Sequence, residues 1–505
     1  MGNTLFGTDR RLKLGIWGLG RGAHFIKACN DLQIDIVAGC DFNADMRESF
    51  QKLCPDAFVT DNEDDFLARD FDAVLVATWI FAHCEHSIKA LEAGKHVLCE
   101  VTPFFTPAEG VKLVEAVEKS DRVYCLAENY PFMKNNMCIK KLWDEGLFGE
   151  LAYAEYQYVH ECRALSYSTI TKKPIEPGYV VHQWRSWLNF HYYCTHSLGP
   201  VMYITGTRPV EVSAPPLALR LPGYIDGSQM GSMCPSMVRM SNGGVVRNLM
   251  GASTCDIHGG RIWGTRAFVD AQGSNLEVVV GQSGHGVHLS LNATWPMLAE
   301  MADKAGHGGG DFWELYFFSR QILTGEKGVW DVYSACDVTL AGIMAVKSQL
   351  EGGKPVAVPD FRDKAVRDLY RNDTFAQKHF DTNAIFPADQ DKALTGQFNS
   401  LMLEFNSFGG HVGTILVNAA YDGMKLFPML ANQQSRLAVI CDVQKLLAQL
   451  PQLAETYRRA KALADTYPDS PGAKAIRENL EAGMYEKIIH PEETAAELRE
   501  WLRDK

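Results

Sequence analysis

The chain has 505 residues, of which 46% are hydrophobic and 22% charged, and its formal net charge is −12. That composition describes a globular protein of roughly two to four domains with ample core. The acidic balance, with both signs interspersed, excludes nucleic acid and anionic membrane as partners, because nothing neutralises phosphates.

The opening "MGNTLFGTDRRLK" has no apolar stretch of the secretory kind. It also departs from the myristoylation pattern, with Phe at position 6. No apolar run approaches the roughly 20 residues of a membrane span. Thirteen cysteines without a CxxC pair imply free thiols in a reducing compartment, so the cytoplasm is expected.

Residues 12–17, "LKLGIW", read as a strand, and "GLGRGAHFIKACN" as a turn opening into a helix. "IDIVAGCD" (34–41) and "FDAVLVATW" (71–79) are further strands. "AHCEHSIKALEAG" (82–94) is an amphipathic helix with a glycine stop, and "KHVLCEV" is another strand. Alternating strands and helices predict a doubly wound parallel α/β sheet, closed by helices over 106–119 and 132–146. "HCEH" (83–86) and "HEC" (160–162) look like metal clusters, but neither has a second ligand pair at zinc spacing, so no metal is expected.

Within this first unit Gly18, Gly20 and Ala23 form GxGxxA between strand and helix, with Arg21 and Gly22 inside the same turn. The first glycine permits the tight turn. The second lets backbone N–H groups reach a pyrophosphate at the helix N-terminus, and the small third residue permits close packing. Asp41 ends the next strand, where a carboxylate binds ribose hydroxyls and repels a 2′-phosphate. The cofactor is therefore expected to be NAD rather than NADP.

From residue 151 the texture changes. "ELAYAEYQYVHE" alternates like a half-buried strand. Strand-like runs follow at 209–213, 236–240, 244–250, 265–270 and 276–280, with Gly-rich turns between them. An α+β unit with a largely antiparallel open sheet is predicted. A long helix within 332–361 then stops at glycines. Residues 362–505 carry helical periodicity with charged outer faces and read as a helical C-terminal extension. The expected domains are 1–150, 151–361 and 362–505.

"ATWIFAHCEHSIKALEAGKHVLCEVTPF" resembles the Gfo/Idh/MocA family of NAD(P)-dependent sugar oxidoreductases. Thr78, His83, Gly94, Lys95, His96, Val97, Glu100 and Pro103 match its pattern. Trp79 replaces a proline, and Val101–Thr102 stand where the family has the lysine that handles the proton of the oxidised hydroxyl. The resemblance implies that Thr78, Trp79, His83 and Glu100 lie at the cofactor, with Gly18, Gly20, Arg21, Gly22, Ala23 and Asp41.

A narrower branch, the NAD-dependent glycoside hydrolases of family 109, first known as α-N-acetylgalactosaminidases, fits better. It also lacks the lysine. "EGLFGELAYAEYQYVHECR" supplies Tyr158, His160 and Arg163, with Glu161 in place of the branch aspartate. "WRSWLNFHYYCTHSLGP" supplies Trp184, Arg185, Tyr193 and His196, and "GHGGGDF" supplies His307 and Asp311. The similarity runs over residues 12–361.

The branch implies a redox-neutral cycle: C3 of a sugar is oxidised, the C2 proton is removed, the C1 substituent is eliminated, water adds and hydride returns. The resemblance makes Tyr158 the C2 base, its pKa lowered by neighbours such as His160 or Arg163. On a strand 158 and 160 share a face. Tyr193 and His196, three apart, share a face if helical, and are candidates for the C3 hydroxyl proton. Trp184, Arg185, Arg163, His307 and Asp311 are candidates for holding the sugar. Asp311 before "FWELYFF" is equally a helix-capping signal. A plain NAD-dependent sugar dehydrogenase, or a 3-keto-glycoside-processing oxidoreductase, is the alternative. The partners implied are a small glycoside or sugar and, since open sheet faces in the family commonly pair, a second copy of the chain.

Overall fold

A computed structural model describes residues 5–162, 188–376 and 413–505, apart from 218, 220, 222–230, 254–255, 274, 282–285, 471–472, 475, 478–485 and 504, together with residues 397, 401 and 404. Arg163, Trp184 and Arg185 lie outside the described residues.

Six parallel strands form the first sheet: β1 (Lys13–Trp17), β2 (Asp35–Cys40), β3 (Phe58–Thr60), β4 (Ala73–Val76), β5 (His96–Glu100) and β6 (Tyr124–Ala127). Their order is β3-β2-β1-β4-β5-β6. Strands β4 and β6 are buried along their whole length, as apolar runs covered on both faces must be. Side chains of Asn43, Asn62 and Thr106 cap the intervening helices, and Thr106 forms a reciprocal capping box with Glu109. The strand order reverses between β1 and β4. The crevice beyond their carboxyl ends is where an open α/β sheet binds its ligand.

The second sheet comprises β7 (Leu151–His160), β8 (Pro209–Ser213), β9 (Met233–Met240), β10 (Val245–Ala252), β11 (Ile257–Gly264), β12 (Ala267–Asp270), β13 (Leu276–Val280), β14 (Val287–Leu291) and β15 (Val356–Ala357). Their order is β14-β13-β12-β11-β7-β10-β9-β8-β15. All neighbours are antiparallel except β7 and β10, which run parallel at the centre. The Gly-rich stretch "IHGGRIWG", expected among the turns, is instead strand β11. Gly260 is steric rather than turn-forming: a Cβ there would lie 2.0 Å from the Glu155 carbonyl of β7. Backbone crowding, not chain reversal, selects glycine there.

The helix Thr195–Thr205 lies on β7 and β10, and the helix Val332–Leu350, apolar almost all round, packs against it and against β8 and β6. Residues 361–376 strap back across the first unit. Arg367 is buried, donates to both Glu118 carboxylate oxygens at 2.7 Å and reaches the Phe361 carbonyl at 2.8 Å. Further on, Gly413–Leu426, Gln433–Thr466 and Pro491–Arg503 form helices around an apolar cluster of their own, including Leu416, Leu446, Leu453 and Leu498. Among the described residues no helix is long and apolar enough to cross a membrane.

Arg367→Leu should detach the strap and strand the Glu118 charge. The expected loss is about 1–3 kcal/mol, read as a lowered midpoint in urea unfolding.

Candidate active site

The turn after β1 is built for close approach. Gly18 has φ 94°, and a Cβ there would lie 2.2 Å from the Ala77 carbonyl. Gly20 is the opposite case. Its nearest foreign atom to a Cβ would be Met46 Sδ at 4.0 Å, so the space over the turn is open. Asp41 ends β2 and accepts the Leu19 N–H at 2.7 Å and the Asn43 N–H at 2.8 Å. Burial raises its pKa, and these two amides counter the shift. Trp79 is half exposed at the mouth of β4. A glycine cradle with open space, a partly buried carboxylate after β2 and an exposed ring fit a dinucleotide.

The other residues expected at the cofactor form the scaffold behind this cradle. His83 is buried with Nδ1 2.9 Å from the Thr102 carbonyl and Nε2 3.1 Å from the Thr78 carbonyl. The Thr78 hydroxyl is 2.9 Å from His86 Nδ1, and His86 stacks on Trp17. Arg21 donates its Nε to Glu100 at 2.7 Å and both terminal nitrogens to Asp311 at 2.9 Å. Arg21 and Glu100 therefore spend their polar groups on tying the nucleotide turn to the second unit.

Asp311 is placed differently from a sugar-holding group. It is 1% exposed and also accepts from Asn129 at 3.0 Å, with His307 Nδ1 3.0 Å away. Burial pushes its pKa up, but the His307 and Arg21 contacts outweigh that and hold the carboxylate well below the usual range. His307, at φ 49°, belongs to the same network. Asp311 heads the helix Gly310–Thr324, yet its side chain makes no capping bond. One turn on, Glu314 is buried and its carboxyl oxygens have no hydrogen-bond partner among the described residues. Burial, with the charges of Asp311 and Glu100, raises its pKa.

Tyr158, His160, Tyr193 and His196 converge. Tyr158 is 4.9 Å from His196, 5.6 Å from His160 and 6.2 Å from Tyr193 between ring centroids. Tyr193 closes a 3₁₀ turn, Phe190–Tyr193, and meets His196 edge-on at 4.6 Å. His196 Nδ1 lies 2.8 Å from Glu128 Oε1, and both residues are buried.

Several members of this cluster are not singled out by the sequence. Glu128, Asn129 and Tyr130 follow β6 directly. Glu128 holds His196, Asn129 holds Asp311, and Tyr130 stacks on His196 at 4.4 Å. Polar residues at the carboxyl end of a parallel strand were the available signal. Asp256 and His258 come from β11 and the residue before it. His160 Nδ1 contacts Asp256, and His258 lies 5.0 Å from Tyr158. The carboxylate of Asp256 is held below its usual range: burial opposes this, but His160 and the Glu161 amide prevail. Burial, with the charge of His160, lowers the pKa of His258 to about 4. Nothing local in "DIHGG" betrays these residues, because only the β7–β11 register brings them to Tyr158. At the position of the missing lysine, Val101 and Thr102 are buried.

Residues 12–128 match the oxidoreductase family with NAD-binding Rossmann fold (Gfo/Idh/MocA), and residues 292–367 match the glycosyl hydrolase 109 C-terminal domain. A glycosyl hydrolase family 109 protein of Saccharopolyspora erythraea is 27% identical over 399 residues, covering 70% of this chain and 84% of its own. An alpha-N-acetylgalactosaminidase of Shewanella oneidensis is 25% identical over 395 residues, covering 69% and 85%. Among solved structures, levoglucosan dehydrogenase with NADH and L-sorbose superposes with TM-score 0.58 at 20% identity, over 70% of this chain and all (100%) of that one. An oxidoreductase domain protein from Kribbella flavida gives TM-score 0.58 at 18% identity, over 69% and 99%. At these identities the two structures show the fold alone.

Two outcomes test the Arg21 network. Arg21→Met leaves Glu100 and Asp311 buried without a cation and should cost about 3–5 kcal/mol, measured by denaturant unfolding. The pKa of Asp311 is depressed in the fold, so its stabilisation is present above the unfolded carboxylate value of about 4 and is lost as pH falls below it. Asp311→Asn should therefore flatten the acid limb of a stability–pH profile.

Proposed function

We propose an activity for this chain on one premise: it is a Gfo/Idh/MocA protein of the glycoside hydrolase 109 branch, with an NAD-binding Rossmann domain. The activity is redox-neutral cleavage of a glycosidic bond. The observation that carries it is a buried His196–Glu128 pair packed against Tyr158, in a site where Val101 and Thr102 replace the lysine.

Bound NAD supplies a reversible hydride acceptor for the sugar's C3. Gly18, Gly20 and Asp41 would hold its pyrophosphate and ribose, and Trp79 would cover the crevice. In its neutral form His196 donates from Nδ1 to the Glu128 carboxylate, which leaves Nε2 as a base. That nitrogen takes the C3 hydroxyl proton, the task of the absent lysine. Tyr193, edge-on to the ring, fixes its orientation. Tyr158 removes the C2 proton, which the neighbouring ketone acidifies, and the C1 substituent departs. The rings of His160, His196 and His258 lie near the phenol, with centroids 5.6, 4.9 and 5.0 Å away. When water adds at C1, Tyr158 returns the C2 proton and His196 the C3 proton. A lysine beside the nicotinamide would repel the positive ring of NAD+, which a retained-cofactor enzyme carries for most of its cycle. Arg163, Trp184, Arg185 and His307 remain proposed contacts to the sugar, and the proposed setting is a homo-oligomer in the cytoplasm.

The test is a panel of aryl glycosides, N-acetylgalactosaminides included, assayed without added cofactor. Phenol should be released without build-up of reduced nicotinamide, and denatured protein should yield NAD rather than NADP. Stoichiometric NADH with a free sugar, and no bond cleavage, would establish a dehydrogenase instead. Tyr158→Phe should keep the fold and lose about 10²–10⁴-fold in cleavage rate. Exchange of the C2 proton with deuterated solvent should disappear in the same variant.

A further inference from the structure

The β7–β11 ladder places three potential ligands on one face of the second sheet. His258 lies opposite Tyr158 in the antiparallel register, and Ile257 lies opposite Val159. One step further, Asp256 comes opposite His160, and the two side chains are in contact. Residues opposite each other and residues two apart along a strand share a face. One ring nitrogen from each histidine and one carboxylate oxygen of Asp256 therefore converge, all within 4.8 Å of one another.

We propose that His160, Asp256 and His258 bind a first-row divalent cation, with Zn²⁺ as the reference ion. Two imidazoles and one carboxylate form a borderline N₂O donor set, suited to such ions rather than to Ca²⁺ or Mg²⁺. Three protein ligands leave coordination positions open, the arrangement of a catalytic rather than a structural site. Two ligands that share an ion at about 2.0–2.2 Å each lie roughly 3.4 Å apart, so an ion entering here parts the contacting His160 and Asp256 groups to sit between them and His258. Asp256 is already oriented, because its Oδ1 accepts the Glu161 N–H at 2.8 Å. Tyr130 is placed to steady His258, its hydroxyl 3.4 Å from Nδ1. Solvent reaches the site through Asp256, whose side chain is half exposed.

The alternative for the same residues is a His160–Asp256 hydrogen-bonded pair with no ion. A pair needs only two of the three groups. The metal reading uses all three. Resting on the proposed glycosidase reading, the site also acquires a role. The open positions adjoin Tyr158, and an ion there holds neighbouring sugar oxygens and polarises the one on which negative charge develops as the C2 proton leaves. The substrate class is then a sugar with adjacent free oxygen functions at C2 and C3.

The full-length protein would be stripped with a chelator, dialysed and titrated with Zn²⁺ against a chromophoric competitor, with Co²⁺ as an absorbing substitute. The expected result is one ion per chain and visible Co²⁺ bands of a site with nitrogen ligands. Asp256→Asn and His258→Gln should each weaken Zn²⁺ binding by about 100-fold or more while retaining NAD binding and the wild-type thermal midpoint. Asp256 lies at the surface before β11, so its variant reports even if His258→Gln misfolds. Sub-stoichiometric uptake overturns the proposal, as do variants that bind like the wild type or Co²⁺ spectra of a solvated ion. The two readings fail separately. One tight ion with no glycoside cleaved leaves the metal site standing and removes the glycosidase, and cleavage by a chain that takes up no ion does the reverse.

Discussion

The guanidinium of Arg21 is the junction on which the arrangement turns. It lies in the nucleotide turn of the first sheet, yet its bonds go to Glu100 at the end of β5 and to Asp311 on a helix 290 residues away in sequence. Three charges in a dry environment are stable only because each is paired. The nucleotide turn, the end of β5 and the head of the Gly310–Thr324 helix are thereby held in one geometry. Glu314 lies one turn on, and burial with the charges of Asp311 and Glu100 raises its pKa.

From that junction a chain of polar contacts leads to the chemistry. Asn129 donates to Asp311, its neighbour Glu128 pairs with His196, and its other neighbour Tyr130 stacks on the same histidine. Three consecutive residues after β6 thus couple the charged clamp to the ring cluster around Tyr158. Under the proposed activity, the hydride-accepting end of a dinucleotide and the acid–base groups must hold a mutual position to within a fraction of an ångström. A short rigid segment at the end of a buried strand supplies that constraint better than a long loop.

The second sheet contributes through register. The parallel contact of β10 and the antiparallel contact of β11 fix β7 from both sides, so Tyr158 and His160 have no freedom to exchange faces. The glycines of β11 permit the close approach, and the face opposite β7 then presents Asp256 and His258. The proposed proton-transfer groups and candidate metal ligands arise from the same ladder, which explains their proximity without any sequence motif joining them.

Local chemistry sufficed for much of this. The alternation of apolar strands and amphipathic helices determined the doubly wound first sheet, and the period of two in 151–160 determined a half-buried strand. The Gly18–Gly20 turn and Asp41 were legible because they are local solutions to a backbone problem. The helical character of the C-terminal residues was legible for the same reason, through its 3.6-residue period. Tertiary structure alone decided that Arg21 pairs with Asp311 and that Glu128 holds His196. It also turned "IHGGRIWG" from apparent turn into strand and brought Asp256 beside His160. These contacts join residues 68 to 290 positions apart. A charged or aromatic side chain carries no mark of its distant partner, since that pairing depends on strand order and register, which single-residue propensities do not encode.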